Sequence, residues 1–241
     1  RVREICKSLD DPPGETQDDT YRVGTAPRPN WWRFPDYRGL RDAMRVGQKF
    51  MMDRLPRPRR CRNYPAPSRQ GVAAAAKEFE RMIQLGVMEG PFAEDSDKVR
   101  CVSPIGVIDK KTAPGATPKV RLIYDLTKSG VNAELSPLPF SLPTVLDGTL
   151  GAQALPHWAK VDLQDAFWHV PVDESHRPLL GLRAVEGASV SAEAAARWPA
   201  AWPRRRRSDG RVDISGMLYR GTRALFGLAA SPYHFCVVTE L

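Results

Sequence analysis

The 241 residues suit one large domain, or one and a half small ones, and a content of 42% hydrophobic and 8% aromatic residues supports a core over much of that length. No apolar run reaches the roughly 18 residues of a membrane-spanning helix, no signal peptide is visible in Arg1–Glu4 and the polar stretch that follows, and the four cysteines form no CxxC, so neither a zinc site nor a disulfide framework is expected. The net charge of +8 is concentrated at the front: residues 1–70 carry 16 Lys and Arg against 9 Asp and Glu, a difference of +7, whereas residues 71–241 carry 20 against 19.

In chain order, residues 1–30 are polar and read as disordered. Residues 31–55 mix Trp31, Trp32, Phe34 and Tyr37 with charges, and a short helix is expected near 40–52. The two tryptophans could stack on bases or dock on the body. Residues 56–70 form an Arg/Pro linker, so residues 1–70 as a whole read as a basic, Pro-rich, largely disordered arm. Such an arm attracts phosphate backbones or serves only as a solvated tail.

Residues 71–86 predict an amphipathic helix with Val72, Ala75, Phe79, Met82 and Ile83 on one stripe and Gly86 at its C-terminal end. Strands are expected at 102–109 and 119–125, joined by a hairpin whose Pro/Gly-punctuated tip carries Lys110 and Lys111. A short helix is expected at 144–150, then strands at 158–163, 179–183 and 219–225. The Ala/Arg-rich residues 184–213, with Arg204–Arg207, read as a low-complexity insertion. A last helix is expected from Pro232, with Ser231 as its N-cap.

The chemistry centres on Asp162 and Asp165, in Lys160-Val161-Asp162-Leu163-Gln164-Asp165-Ala166-Phe167. A carboxylate leaving an apolar strand suits Mg²⁺, which takes few protein ligands and keeps several waters. Two-metal phosphoryl transfer uses ions about 3.5–4 Å apart, held by carboxylates from different parts of a chain. The alternative is a strand ending in an Asx turn, with Asp165 capping the next helix.

Four pieces in order resemble the reverse transcriptases of retrotransposons: Leu85-Gly86-Val87-Met88-Glu89; Ser103-Pro104-Ile105; Arg121 to Asp125 with Asn132, Pro137-Leu138-Pro139 and Asp162 to Phe167; and Phe226-Gly227-Leu228 through Ser231-Pro232 to Phe235. The resemblance covers about 77–183 and 217–241. It implies an α+β fold, the fingers and incomplete palm of a right-hand polymerase with a small antiparallel sheet, in a reverse transcriptase-like domain over 71–241. It also implies RNA-directed DNA polymerase activity on a primed RNA or DNA template, with deoxynucleoside triphosphates and Mg²⁺ (Mn²⁺ as the alternative ion). The lack of a disulfide framework makes a reducing intracellular compartment, cytoplasm or nucleus, the expectation.

By the same resemblance Asp162 is the catalytic, metal-binding carboxylate, helped by the Leu163 main-chain carbonyl. Asp165 and Ala166 hold the triphosphate through backbone N–H groups, and Phe167 stacks under the sugar and rejects a 2′-hydroxyl. Arg121 clamps the β- and γ-phosphates, with added charge from Lys110 or Lys111, while Phe226 and Gly227 line the nucleotide pocket. Asn132 and Asp125 are expected to be structural.

The family's aromatic-x-Asp-Asp motif does not occur before Leu241, and Asp10-Asp11 and Asp18-Asp19 lie too far upstream to replace it. A truncated enzyme, inactive by itself, is therefore the expectation. A non-catalytic remnant that binds nucleic acid is the first rival. An RNA-dependent RNA polymerase is the second, and Phe167 argues against it.

Overall fold

The computed structural model describes residues 44–52, 54–66, 68–110, 119–136, 157, 163–199, 202 and 204–239. They form a mixed α+β body. The expected helix at 144–150, the strand at 158–163 except for Leu163, and Trp31 and Trp32 lie outside these residues.

The chain enters with a helical turn at 44–46 and then runs extended, bridging Gln48 to Val172 and Met52 to Leu135. Met44 and Phe50 are buried, so this stretch docks on the body. Strand β1 (Arg59–Arg60) lies within the expected linker, yet it pairs in parallel with Cys101–Val102 of the body. Helix α1 (Arg69–Gln84) begins where the Ser68 hydroxyl accepts from the Gly71 N–H at 2.9 Å. It ends in a Schellman arrangement: Gly86 N–H donates to Ile83 O, and Val87 N–H to Met82 O. Gly86 takes the left-handed φ of 68° that this ending needs. The buried stripe is Gly71, Ala75, Ala76, Phe79 and Met82, whereas Val72 and Ile83 lie at its margin.

Strand β2 (Met88–Phe92) follows at once. The single strand expected at 102–109 is two, β3 (Cys101–Ser103) and β4 (Ile105–Lys110). Pro104 divides them because it has no N–H to give to a ladder. Strand β5 (Lys119–Tyr124) closes a hairpin on β4, with Ile105 opposite Tyr124 and Lys110 opposite Lys119. A single turn, α2 (Val131–Glu134), comes next. Later elements are β6 (Gly181–Arg183), β7 (Ser189–Val190), α3 (Ala192–Ala196), β8 (Val212–Asp213), β9 (Leu218–Gly221) and α4 (Ser231–Thr239).

The main sheet has the order β1-β3-β6-β9-β2. The β1–β3 and β3–β6 pairs are parallel and the other two antiparallel, so the sheet is mixed rather than antiparallel as expected. Each parallel pair is joined by a long connection, which parallel strands require. Phe79 and Met82 of α1 are fully buried, and the Phe79 ring meets Tyr219 of β9 edge-on at 5.5 Å. Truncating a residue such as Phe79 costs about 3–5 kcal/mol. Across β2 and β9, Glu89 faces Arg220 in register, and the Arg220 guanidinium reaches its carboxylate at 2.5 Å.

The low-complexity segment at 184–213 is folded where it is described. Strands β7 and β8 pair antiparallel, and Ala188, Val190, Ala195 and Val212 join the core. Glu80 of α1 accepts from Ser189 N–H and Oγ and pairs with Arg211 at 2.9 Å, tying this hairpin to the helix.

Candidate functional site

Two separated turns meet beside the C-terminal end of α1, and a third segment, the β4–β5 hairpin, adjoins them at its Tyr124 end. The first is the turn at 163–169. Asp165 has φ 54° and ψ 43°, and the 3-10 turn Ala166–His169 follows it. The Asp165 carboxylate accepts from Arg81 Nη2 at 2.8 Å, and the Trp168 N–H donates to Asp165 O. Arg81 is held from the other side by Glu78, at 2.7 and 3.0 Å, and its guanidinium lies 4.7 Å from the Trp168 ring centre. These carboxylates, Glu78 first, push the Arg81 pKa upward, so it is charged at any relevant pH.

The second segment is the turn from Leu225 to Ser231. Gly227 has φ 92°, and a Cβ there would run into the Tyr124 carbonyl oxygen at the end of β5. Asn132 pins the turn from both sides: its Nδ2 donates to Gly227 O at 2.8 Å and its Oδ1 accepts from Ala229 N–H at 3.0 Å. The structural role expected for Asn132 is thus given a mechanism. Asp125 is structural too, accepting from Tyr64 Oη at 2.7 Å and Lys128 N–H at 2.8 Å; that N–H, with Tyr64, lowers its pKa. Ser231 is not the N-cap that its position suggested. Helix α4 already includes it, and its hydroxyl donates to Leu225 O at 2.8 Å, closing the turn instead.

The two turns touch through aromatic rings. Phe167 lies 4.7 Å from Phe226 and 5.7 Å from Phe235 between ring centres. Phe226 remains 42% exposed, so the pair offers an accessible ring edge and not a sealed core.

The third segment is the β4–β5 hairpin. Alternation puts Ile105, Val107, Val120, Leu122 and Tyr124 on the face packed against the core. Gly106, Ile108, Lys110, Lys119, Arg121 and Ile123 share the other face. Ile108 is 52% and Ile123 38% exposed, and Lys110, Lys119 and Arg121 are exposed with them. Lys119 was not singled out from sequence, although its register opposite Lys110 follows from the hairpin itself. Arg81 carried no sequence signal beyond its place on the polar side of α1.

Asp162 and Lys111 lie outside the described residues. Leu163 is described, 49% exposed and in no regular element. Among the described residues no three His, Cys, Asp or Glu side chains gather as a metal site. The Asp165 carboxylate, engaged by Arg81, is not placed as a ligand, so a hard-oxygen metal site in this segment would depend on Asp162. No described helix is long and apolar enough to cross a membrane.

No family model and no curated protein matches the chain. Among solved structures it is similar to a foamy viral protease–reverse transcriptase determined in complex with double-stranded DNA, at 15% identity and a TM-score of 0.45. The match covers 97% of this chain and 34% of that one, so the chain spans about a third of its length.

Proposed function

We propose that this chain is the fingers and first part of the palm of an RNA-directed DNA polymerase of a retroelement, which transfers a nucleotidyl group from a deoxynucleoside triphosphate to a primer 3′-hydroxyl. The supporting observation is the meeting of Phe167 with Phe226, residues 59 positions apart, beside a Gly227 turn pinned to β5. In this reading Phe167 carries the sugar and excludes a 2′-hydroxyl, and Phe226 and Gly227 border the base. The Asp165 and Ala166 N–H groups receive the triphosphate, while Arg121, Lys110 and Lys111 approach it from the hairpin. Asp162 and the Leu163 carbonyl are the groups assigned to Mg²⁺ or Mn²⁺, which when bound neutralises charge on the phosphoryl group.

Primer extension on an RNA template tests this, using the chain and a version continued in frame through an aromatic-x-Asp-Asp hairpin. Extension by the longer version, abolished by Asp162→Asn, is the expected result. In that version Phe167→Ala should lower discrimination against ribonucleotides by about tenfold or more, because a site that rejects by collision loses that rejection with the ring.

A second reading, a non-catalytic binder of nucleic acid, is favoured by the exposed Lys110, Lys119 and Arg121 face, which would serve binding without chemistry. Binding of primer–template by both versions, with no extension by either, would select it.

A further inference from the structure

Asp165 is the one non-glycine residue with a positive φ among the described residues. A side chain in the left-handed region is held there at a cost, and the surrounding structure must supply the hold. Here the hold is visible. Arg81 Nη2 bonds Asp165 Oδ2 at 2.8 Å across 84 positions of sequence. Glu78 fixes the same guanidinium from within α1, and the Trp168 ring, from the turn itself, lies against it. The guanidinium thus joins three partners in one plane-and-fork arrangement that a lysine could not reproduce.

We infer that Arg81 is a positioning residue for the triphosphate site: its clamp on the Asp165 carboxylate holds the 165–166 backbone in the left-handed turn whose N–H groups receive the triphosphate. The inference rests on the polymerase reading above. Arg81 itself touches no substrate in this scheme. The Asp165 side chain serves the turn and binds neither metal nor nucleotide. That assignment separates it from a carboxylate acting directly, because glycine should then be an adequate replacement at 165. Glycine adopts positive φ at no steric penalty and needs no clamp.

The test uses the full chain bound to an RNA–DNA primer–template, titrated calorimetrically with deoxythymidine triphosphate in magnesium chloride. Arg81→Met should weaken triphosphate binding by about tenfold, the loss expected when the competent turn becomes a minor conformer, with primer–template affinity unchanged. Arg81→Lys should be nearly as weak. Asp165→Ala should weaken binding similarly, whereas Asp165→Gly should weaken it markedly less, because glycine keeps the backbone N–H and enters the left-handed region without a steric penalty. Asp165→Gly should also restore binding in the Arg81→Met background, an effect that a merely stabilising ion pair would not produce. Equal triphosphate affinity in wild type and Arg81→Met would overturn the inference and leave the polymerase reading standing. A loss with Asp165→Gly as large as with Asp165→Ala would overturn it too, by giving the carboxylate a direct role. Where only the version continued through the aromatic-x-Asp-Asp hairpin binds triphosphate, the same variants are read in it; absence of triphosphate binding by both would overturn the polymerase reading and the inference with it.

Discussion

Gly227 lies against the backbone of Tyr124, so close that no side chain fits between them. This approach joins the turn after β9 to the end of β5, and Asn132 fastens it with two hydrogen bonds. Gly227→Ala should therefore destabilise the chain by more than about 2 kcal/mol, combining a left-handed alanine with a clash against a carbonyl oxygen that belongs to the sheet. Urea unfolding followed by circular dichroism measures it. A loss below about 0.5 kcal/mol would mean that the turn is free to move away from Tyr124.

Acid should weaken the fold through His234. Its ring is buried, and neither ring nitrogen has a hydrogen-bond partner among the described residues. Burial, with nearby His176 adding to it, pushes its pKa down to about 4. In the unfolded chain the same ring takes up a proton near pH 6.5. Between those values the unfolded state binds more protons, so the stability is full above about 6.5 and falls as pH drops toward 4, by on the order of 3 kcal/mol. His176 shifts in the same direction, chiefly through burial and against the pull of Asp173, while its Nδ1 accepts from the Phe50 N–H at 2.8 Å. The Phe50 ring lies 5.4 Å from His176 and 6.0 Å from His234, so the segment around Phe50 should loosen first. Unfolding midpoints at pH 7 and pH 5 give the slope, and His234→Leu should flatten it.

Glu80 should matter more than an exposed ion pair. Its carboxylate serves the Ser189 N–H and hydroxyl as well as Arg211, and Ser189 is buried. Glu80→Ala leaves that N–H without its partner, at about 1–3 kcal/mol. Trypsin should then cut faster in Arg204–Arg207, since β7 and β8 lose their tie to α1. An unchanged cleavage rate would show that core packing alone holds the hairpin.

Helix α1 was legible because its stripe and its ending at Gly86 are local signals, whereas its Ser68 cap, which starts it at Arg69 and not at the expected 71, was not read. The β4–β5 hairpin was legible by alternation, but its division from β3 was not, because the apolar run continues on both sides of Pro104. The pairing of Arg59–Arg60 with Cys101–Val102 spans some forty residues, and two arginines give no strand signal. The segment at 184–213 hid its fold for a related reason: the alanines that pack beneath it are the residues that make it look like filler. Within the site, the motif pieces were readable and their meeting was expected, whereas Arg81 was not, since its partner lies 84 positions away.

The hairpin face makes the last prediction. Lys110 and Lys119 stand opposite each other on neighbouring strands, with Arg121 two residues along the same face. Like charges in such a pair repel, and the exposed Ile108 and Ile123 beside them add apolar surface that water does not favour. Both features suit a partner with phosphates and rings. Removing one cation that pairs with a phosphate should lower the slope of log affinity against log salt by about 1. Lys119→Ala and Arg121→Ala should each do so for primer–template binding, and Lys119→Ala should leave stability unchanged or slightly higher, because it relieves the repulsion. Lys77→Ala, on the exposed side of α1, should leave the slope as it was. Equal reductions at Lys77 and Lys119 would mean that attraction is spread over the whole basic chain, and the hairpin face would then have no special claim on nucleic acid.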